Sequence, residues 1–216
     1  MPPPGPLPLI VITLLAYIAG ATPFGFLAAR WRGVDIRQHG SGNIGATNVI
    51  RVMGKKIGLP VFALDCLKGL LPVLFAKSWC AGHGIDGTWA SLLAGLGAVL
   101  GHNFTFWLNF KGGKGIATSA GVLLALLPVA LGVALLLWLI LFYTTRYVAV
   151  ASVGAGAVLP VTVLAQRILT GGPALPLLGF ATVIGGLAVW RHRSNLKRLM
   201  AGTENRFERR PKPSAP

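Results

Sequence analysis

The sequence predicts an all-α fold: a polytopic transmembrane helical bundle of seven spans, N-terminus outside and C-terminus cytoplasmic. Three observations carry that reading. The 216 residues are 54% hydrophobic with 12% charged, about half the charged share of soluble proteins, and mean hydropathy is +0.68. Apolar runs of about 20 residues, long enough to cross a hydrocarbon core of ~30 Å, recur along almost the whole chain. The 20 Lys and Arg stand against five acids, a net charge of +15, and they gather in short stretches between the runs.

The runs place spans at roughly 7–29, 59–79, 88–108, 115–127, 129–145, 148–168 and 174–191. The first follows MPPPGPLP, which lacks the basic start of a signal peptide, so it reads as a retained span despite the small residues Ala19-Gly20-Ala21. The second carries Asp65 and Lys68 on one helical face, a self-paired couple in a setting where charge is costly, which reads equally as an ion pair supporting the site or as a part of its chemistry. It also carries Cys66 and Cys80, 14 positions apart and so roughly 21 Å apart on a helix, too far for a disulfide. The fourth run is short. Pro128 separates it from the fifth, so residues 115–145 form either two spans or one broken or re-entrant helix. Ser152 lies about one turn inside the sixth, where a small serine ordinarily serves helix packing. The Pro-rich ends suggest a single domain over 1–208 and a disordered basic tail over 209–216. No solenoid repeat interrupts it.

Charge sets the orientation. With seven crossings, all Lys and Arg except Lys68, Lys77 and Arg167 fall on one side, which the positive-inside rule makes cytoplasmic. Six crossings would separate the basic tail from the basic loops. So basic a chain also raises nucleic acid, but no zinc-finger spacing appears and aromatics do not interleave with the basic residues. Anionic substrates or lipid headgroups are the better partners.

Three stretches on that cytoplasmic side carry chemistry. Gly40 to Arg51, GSGNIGATNVIR, combines Gly40, Gly42 and Gly45 with Ser41, Asn43, Thr47, Asn48 and Arg51. Glycines let backbone N–H groups converge on an anion, while the side chains add donors and a fixed cation. The string satisfies GxGxxG, yet it follows a basic loop and not a strand, and the acid 20 residues on, Asp65, lies in an apolar span; a dinucleotide fingerprint is excluded. A plain flexible turn would not need so many donors. The second stretch runs from Gly101-His102-Asn103-Phe104 to Lys111-Gly112-Gly113-Lys114-Gly115. It is not a Walker A loop, but two lysines about a glycine pair at a helix start suit an anion better than a loop that merely sets topology. The third, from Arg191 to Arg198 and on to Glu204, places His192 and Asn195 three apart on one helical face. Arg193 and Lys197 there read as snorkelling or headgroup contacts.

Taken together, SGNIGATNVIR, GHNF…FKGGKGIAT and HRSNLKRLMAGTE resemble the acyl-phosphate-dependent glycerol-3-phosphate acyltransferase family of bacteria, in order and spacing over most of the chain. The resemblance implies a seven-helix enzyme of the bacterial cytoplasmic (inner) membrane, its active site facing the cytoplasm. It implies transfer of a long-chain acyl group from acyl phosphate to glycerol 3-phosphate, giving 1-acyl-glycerol 3-phosphate and phosphate, the first step of phospholipid synthesis. No cofactor or metal is implied, and a monomer is expected. Carried over by motif, Ser41, Arg51, Lys114, His192 and Asn195 are the catalytic candidates. Gly42, Asn43, Gly45, Thr47, Asn48, Lys111, Gly112, Gly113, Ser152 and Glu204 are the substrate-binding ones. Thr105 stands where the family has Pro after HNF, Leu196 replaces Ile, and Arg206 stands where Lys is commoner, which leaves the geometry near Thr105 open.

The residues suit that reaction. An acyl phosphate is an activated mixed anhydride, so positioning and charge stabilisation lower the barrier. Arg51, Lys114, His192 and Asn195 are expected to hold the glycerol 3-phosphate phosphate, and Gly42 to Asn48 the acyl phosphate headgroup. The HxxxxD signature of soluble-type glycerolipid acyltransferases fails at His39, His83, His102 and His192, whose partners at that spacing are Ile44, Thr88, Trp107 and Lys197. A transporter for organic phosphate anions would show internal symmetry and midplane charge, and here charge crowds at one face. A lipid anchor needs no seven spans.

Overall fold

A computed structural model of the chain describes residues 1–207, and every regular element among them is helical. The tail expected over 209–216 lies outside the described residues. Ten α-helices follow in order: α1 (Pro6–Ala21), α2 (Phe24–Trp31), α3 (Ala46–Met53), α4 (Lys55–Gly82), α5 (Thr88–Asn103), α6 (Ile116–Leu126), α7 (Pro128–Thr145), α8 (Val148–Thr170), α9 (Leu175–Arg191) and α10 (Arg193–Met200). Short 3-10 turns occupy Ile36–Gln38 and Phe106–Leu108.

Five segments are long and apolar enough to cross a membrane, six if α9 and α10, bent by 47°, count as one span. The remaining segment of the expected seven is α6. Its 11 residues rise only about 16 Å, short of a hydrocarbon core. Residues 115–145 form two helices, not one: Leu127 leaves helical geometry at φ −143° and Pro128 opens α7, where its missing N–H costs nothing.

The span expected at 7–29 is likewise two helices. Pro23 has no N–H to continue the ladder and disfavours the helical conformation at Thr22, which sits at ψ 116°. Side chains from elsewhere satisfy the carbonyls at this break. Thr105 Oγ1 donates to Ala21 O at 2.6 Å, and Lys68 Nζ donates to Thr22 O at 2.7 Å. Proline at position 105 has no hydroxyl to do this, so the departure noted in the sequence has a defined local consequence.

The spans pack closely where side chains are absent. On α5, a Cβ at Gly97 or Gly101 would overlap backbone of α1 at Thr13 and Tyr17, so α1 and α5 approach as only small residues allow. One core fills the bundle, with Val73, Val99, Val122, Val163, Ala181 and Ile184 fully buried. A second, smaller core of Ala29, Ile36, Ile44, Val49 and Val61 seats the segment between α2 and α4. Outward leucines such as Leu14, Leu71, Leu136 and Leu164 stay exposed; in a bilayer those faces meet lipid.

Candidate active site

The first motif is a turn followed by a helix, not one open loop. Gly40 (φ +61°) and Gly42 (φ +69°) take left-handed backbone, which glycine adopts without steric cost. Gly45 has ordinary extended geometry, φ −74°, and caps α3. Thr47, Asn48 and Arg51 are therefore presented by a helix whose N-terminus contributes partial positive charge. Its buried face, Ala46, Asn48 and Val49, rests on the second core.

Asn48 is 1% exposed and braces the turn. Its Oδ1 accepts from Ser41 N at 2.8 Å, and its Nδ2 donates to His39 O at 2.9 Å and Ile36 O at 3.3 Å. Asn43 Oδ1 accepts from Gly45 N at 2.9 Å. The polar atoms of Asn48 are thus engaged by the turn and the segment just before it, and so are three backbone N–H groups expected to face an anion, those of Ser41, Gly42 and Gly45. Ser41, Thr47 and Arg51 line the cavity beside it. Arg51 lies 4.8 Å from the centre of the Phe207 ring. Burial lowers its pKa, with the Glu204 carboxylate pulling the other way.

The second motif is folded back onto its own start. Gly113 N donates to His102 O at 3.0 Å and Gly112 N to Asn103 O at 3.2 Å. Arg191 reaches across from α9 to the Gly112 carbonyl at 3.0 Å and the Gly113 carbonyl at 2.6 Å. The turn between them needs positive φ at Asn109 (51°) and Phe110 (60°), an uncommon conformation for a bulky side chain. That turn sends the two lysines opposite ways. Lys111 is exposed, whereas Lys114 Nζ points inward and donates to Asn195 Oδ1 at 2.5 Å. Burial pulls the Lys114 pKa down to about 8; Glu204 opposes this, and Arg198, Arg191 and Arg51 reinforce it.

The third motif supplies the opposite wall. His192 Nδ1 lies 2.7 Å from Ala188 O; a carbonyl only accepts, so Nδ1 carries the proton and Nε2 is the basic nitrogen. Asn195 Nδ2 donates to Glu204 Oε1 at 2.6 Å, and Arg198 Nε donates to Oε2 at 2.8 Å. Glu204 therefore holds Asn195, which in turn holds Lys114. The segment after α10 is tied down by Phe207 N donating to Arg146 O at 3.1 Å.

These walls enclose one cavity of about 390 Å³. Its polar end is lined by Ser41, Thr47, Arg51, Lys114, His192 and Asn195, and Glu204 joins them. Asn43, Gly45 and Asn48 border it too. Gly42, Gly112 and Gly113 lie outside the lining and shape its walls, and the exposed Lys111 lies outside it as well. Ser152 sits where polar gives way to apolar, accepting from Trp138 Nε1 at 3.2 Å. Beyond it Leu123, Leu131, Leu135, Leu159 and Ile184 line an apolar arm within the bundle. Asp65 and His102 also line the cavity; the sequence reading linked each to the site but not to the other. Nothing in their spacing marks them as neighbours. Among the described residues, no group of three or more His, Cys, Asp or Glu is placed to hold a metal ion.

The sequence profile of the glycerol-3-phosphate acyltransferase family matches residues 10–202. The chain is 45% identical over 200 residues to the glycerol-3-phosphate acyltransferase of Geobacter sulfurreducens, covering 92% of this chain and 97% of that one. It superposes on a crystal structure of PlsY (YgiH), an integral membrane glycerol 3-phosphate acyltransferase in its glycerol 3-phosphate form, with a TM-score of 0.83, 42% identity and coverage of 93% and 96%. For the lysophosphatidic acid form of PlsY the TM-score is 0.81, with 41% identity and coverage of 93% and 95%. With motifs, fold and cavity in agreement along nearly its whole length, the chain belongs to the glycerol-3-phosphate acyltransferase family, and it is a membrane-embedded acyltransferase.

Proposed function

We propose that this protein transfers a long-chain acyl group from acyl phosphate to the sn-1 hydroxyl of glycerol 3-phosphate, releasing phosphate and 1-acyl-sn-glycerol 3-phosphate. The observation that carries this reading is the two-part cavity: a cationic, donor-rich end continuous with an apolar arm. Such a shape suits one water-soluble phosphate and one phosphate attached to a hydrocarbon chain. The similarity to PlsY, solved in glycerol 3-phosphate and lysophosphatidic acid forms, supports the same acceptor and product.

In this proposal Arg51 and Lys114 hold the glycerol 3-phosphate phosphate, His192 borders it, and Asn195 and Glu204 keep Lys114 aimed. Ser41, Thr47 and the start of α3 receive the acyl phosphate headgroup, and its chain passes Ser152 into the apolar arm. The sn-1 oxygen attacks the acyl carbonyl carbon, the bond from that carbon to the phosphate oxygen breaks, and phosphate leaves. The hydroxyl proton passes to His192 Nε2 or to a substrate phosphate oxygen. Fixed cations need no reorganisation as charge moves, so placement supplies most of the acceleration.

The basic stretches of the site share one face, which supports a cytoplasmic active site, an outside N-terminus and seven spans with α6 as the shortest. Purified protein supplied with glycerol 3-phosphate and palmitoyl phosphate is expected to form lysophosphatidate and phosphate in equal amounts. Product from palmitoyl-CoA alone, or from neither donor, would overturn the proposal.

A further inference from the structure

A buried charged row borders the same cavity, and the chemistry above does not use it. Lys68 and Asp65, one turn apart on α4, meet at 2.7 Å with side chains 4% and 3% exposed. Burying such a pair gains little over two apolar side chains, and within a membrane-spanning helix charge marks function more often than packing. Both ends of the row touch a catalytic segment. At one end Lys68 Nζ donates to Thr22 O at 2.7 Å and lies 5.4 Å from the centre of the Phe24 ring. It thereby grips the start of α2, which leads to Ser41 and α3.

At the other end Asp65 Oδ1 faces His102 Nδ1 at 3.7 Å, and His102 is 5% exposed. The imidazole lies against Gly113, where any Cβ would overlap the Nε2 edge. The His102 carbonyl accepts from Gly113 N at 3.0 Å, and the next residue is Lys114. The row thus spans from the segment bearing Ser41 and Arg51 to the loop bearing Lys114.

We infer that Lys68, Asp65 and His102 are positioning residues that set the separation of these two segments, and with it how Arg51 and Lys114 close together on the glycerol 3-phosphate phosphate. The inference rests on the two-phosphate reading proposed above. Each segment also has its own brace, Asn48 in one case and Arg191 in the other. Loss of the row therefore leaves each half folded and spoils their mutual register: the glycerol 3-phosphate phosphate, held by both halves, is gripped poorly, while the acyl phosphate headgroup, held by the first alone, is not. A displacement near 1 Å is enough to slow turnover by roughly 100-fold.

The test is D65L/K68M, which replaces both charges by apolar side chains of similar size and leaves no unpaired ion. Kinetics are measured on monodisperse protein with glycerol 3-phosphate and palmitoyl phosphate. The expected result is kcat/KM for glycerol 3-phosphate lowered about 10- to 100-fold, with KM for palmitoyl phosphate within about threefold of wild type. A purely structural pair would lower the yield or Tm and leave kcat/KM per folded molecule unchanged, which overturns the inference. An equal rise in KM for palmitoyl phosphate overturns it too. Should D65L/K68M fail to fold, H102A and H102Q keep the ion pair and read out the same split. H102Q is expected to retain more activity than H102A, and wild-type kcat/KM for glycerol 3-phosphate in H102A refutes the role. Wild-type activity with palmitoyl phosphate is the separate control for the underlying reaction.

Discussion

Lys114 makes the proposed chemistry sensitive to pH in a calculable way. A free lysine titrates near 10.4, whereas burial in the cavity wall brings Lys114 to about 8. The sign follows from the charge: below that pH the ammonium is present to meet a phosphate, and above it the cation is lost. With a pKa of about 8, roughly 90% of Lys114 is charged at pH 7 and about 10% at pH 9. If only the charged form binds glycerol 3-phosphate, KM should rise about tenfold between pH 7 and pH 9, about 1.4 kcal/mol of binding. A bound phosphate dianion stabilises the ammonium, so kcat should bend at a higher pH than kcat/KM, which reports the free enzyme. The assay is initial-rate phosphate release at saturating palmitoyl phosphate across pH 6.5 to 10. Lys114→Arg keeps its charge throughout and should flatten the upper limb even if it turns over more slowly. A wild-type KM that stays level to pH 9.5, or an arginine variant with the same limb, would refute the assignment.

Other substitutions test separate parts of the site. Arg51→Ala should lower kcat/KM for glycerol 3-phosphate by 10- to 100-fold, as loss of charge-assisted hydrogen bonds worth about 1.5–3 kcal/mol predicts; near-normal kinetics would count against it. Glu204→Gln removes the carboxylate that raises the Lys114 pKa, so the upper limb of the KM profile should move to lower pH. An unmoved or upward-shifted limb would contradict that coupling. Thr105→Val takes the hydroxyl from Ala21 O and should destabilise the protein by about 1–3 kcal/mol, visible as a lower Tm in detergent; an unchanged Tm would show that the break has another donor.

The helical class and the three basic motifs were legible because apolar run length and glycine-with-cation clusters are local signals. What escaped the sequence reading was not local. The dense Gly and Asn of GSGNIG hid an eight-residue helix, although Ala46, Val49 and Met53 fall on one face. Lys111 and Lys114 look equivalent in FKGGKG, and only the positive φ at Asn109 and Phe110 turns one outward and the other inward. Arg191 reads as a cation near the His192–Asn195 stripe, yet nothing local shows that its partner is Gly113 O, 78 positions away. Asp65 and Lys68 were legible as a pair three apart; that His102 completes the row depends on how α4 and α5 pack.

The break after α1 also bears on how the protein is made. Its two stray carbonyls wait for donors 46 and 84 positions further along the chain, so this span leaves the ribosome well before it can be completed. Until α4 and α5 are inserted, the stretch carrying Ser41 and Arg51 hangs from an unfinished joint. A nascent chain arrested before Thr105 should therefore expose that stretch to protease, and one arrested beyond α5 should protect it. Assembly order, in this protein, is recorded in which side chain closes which gap.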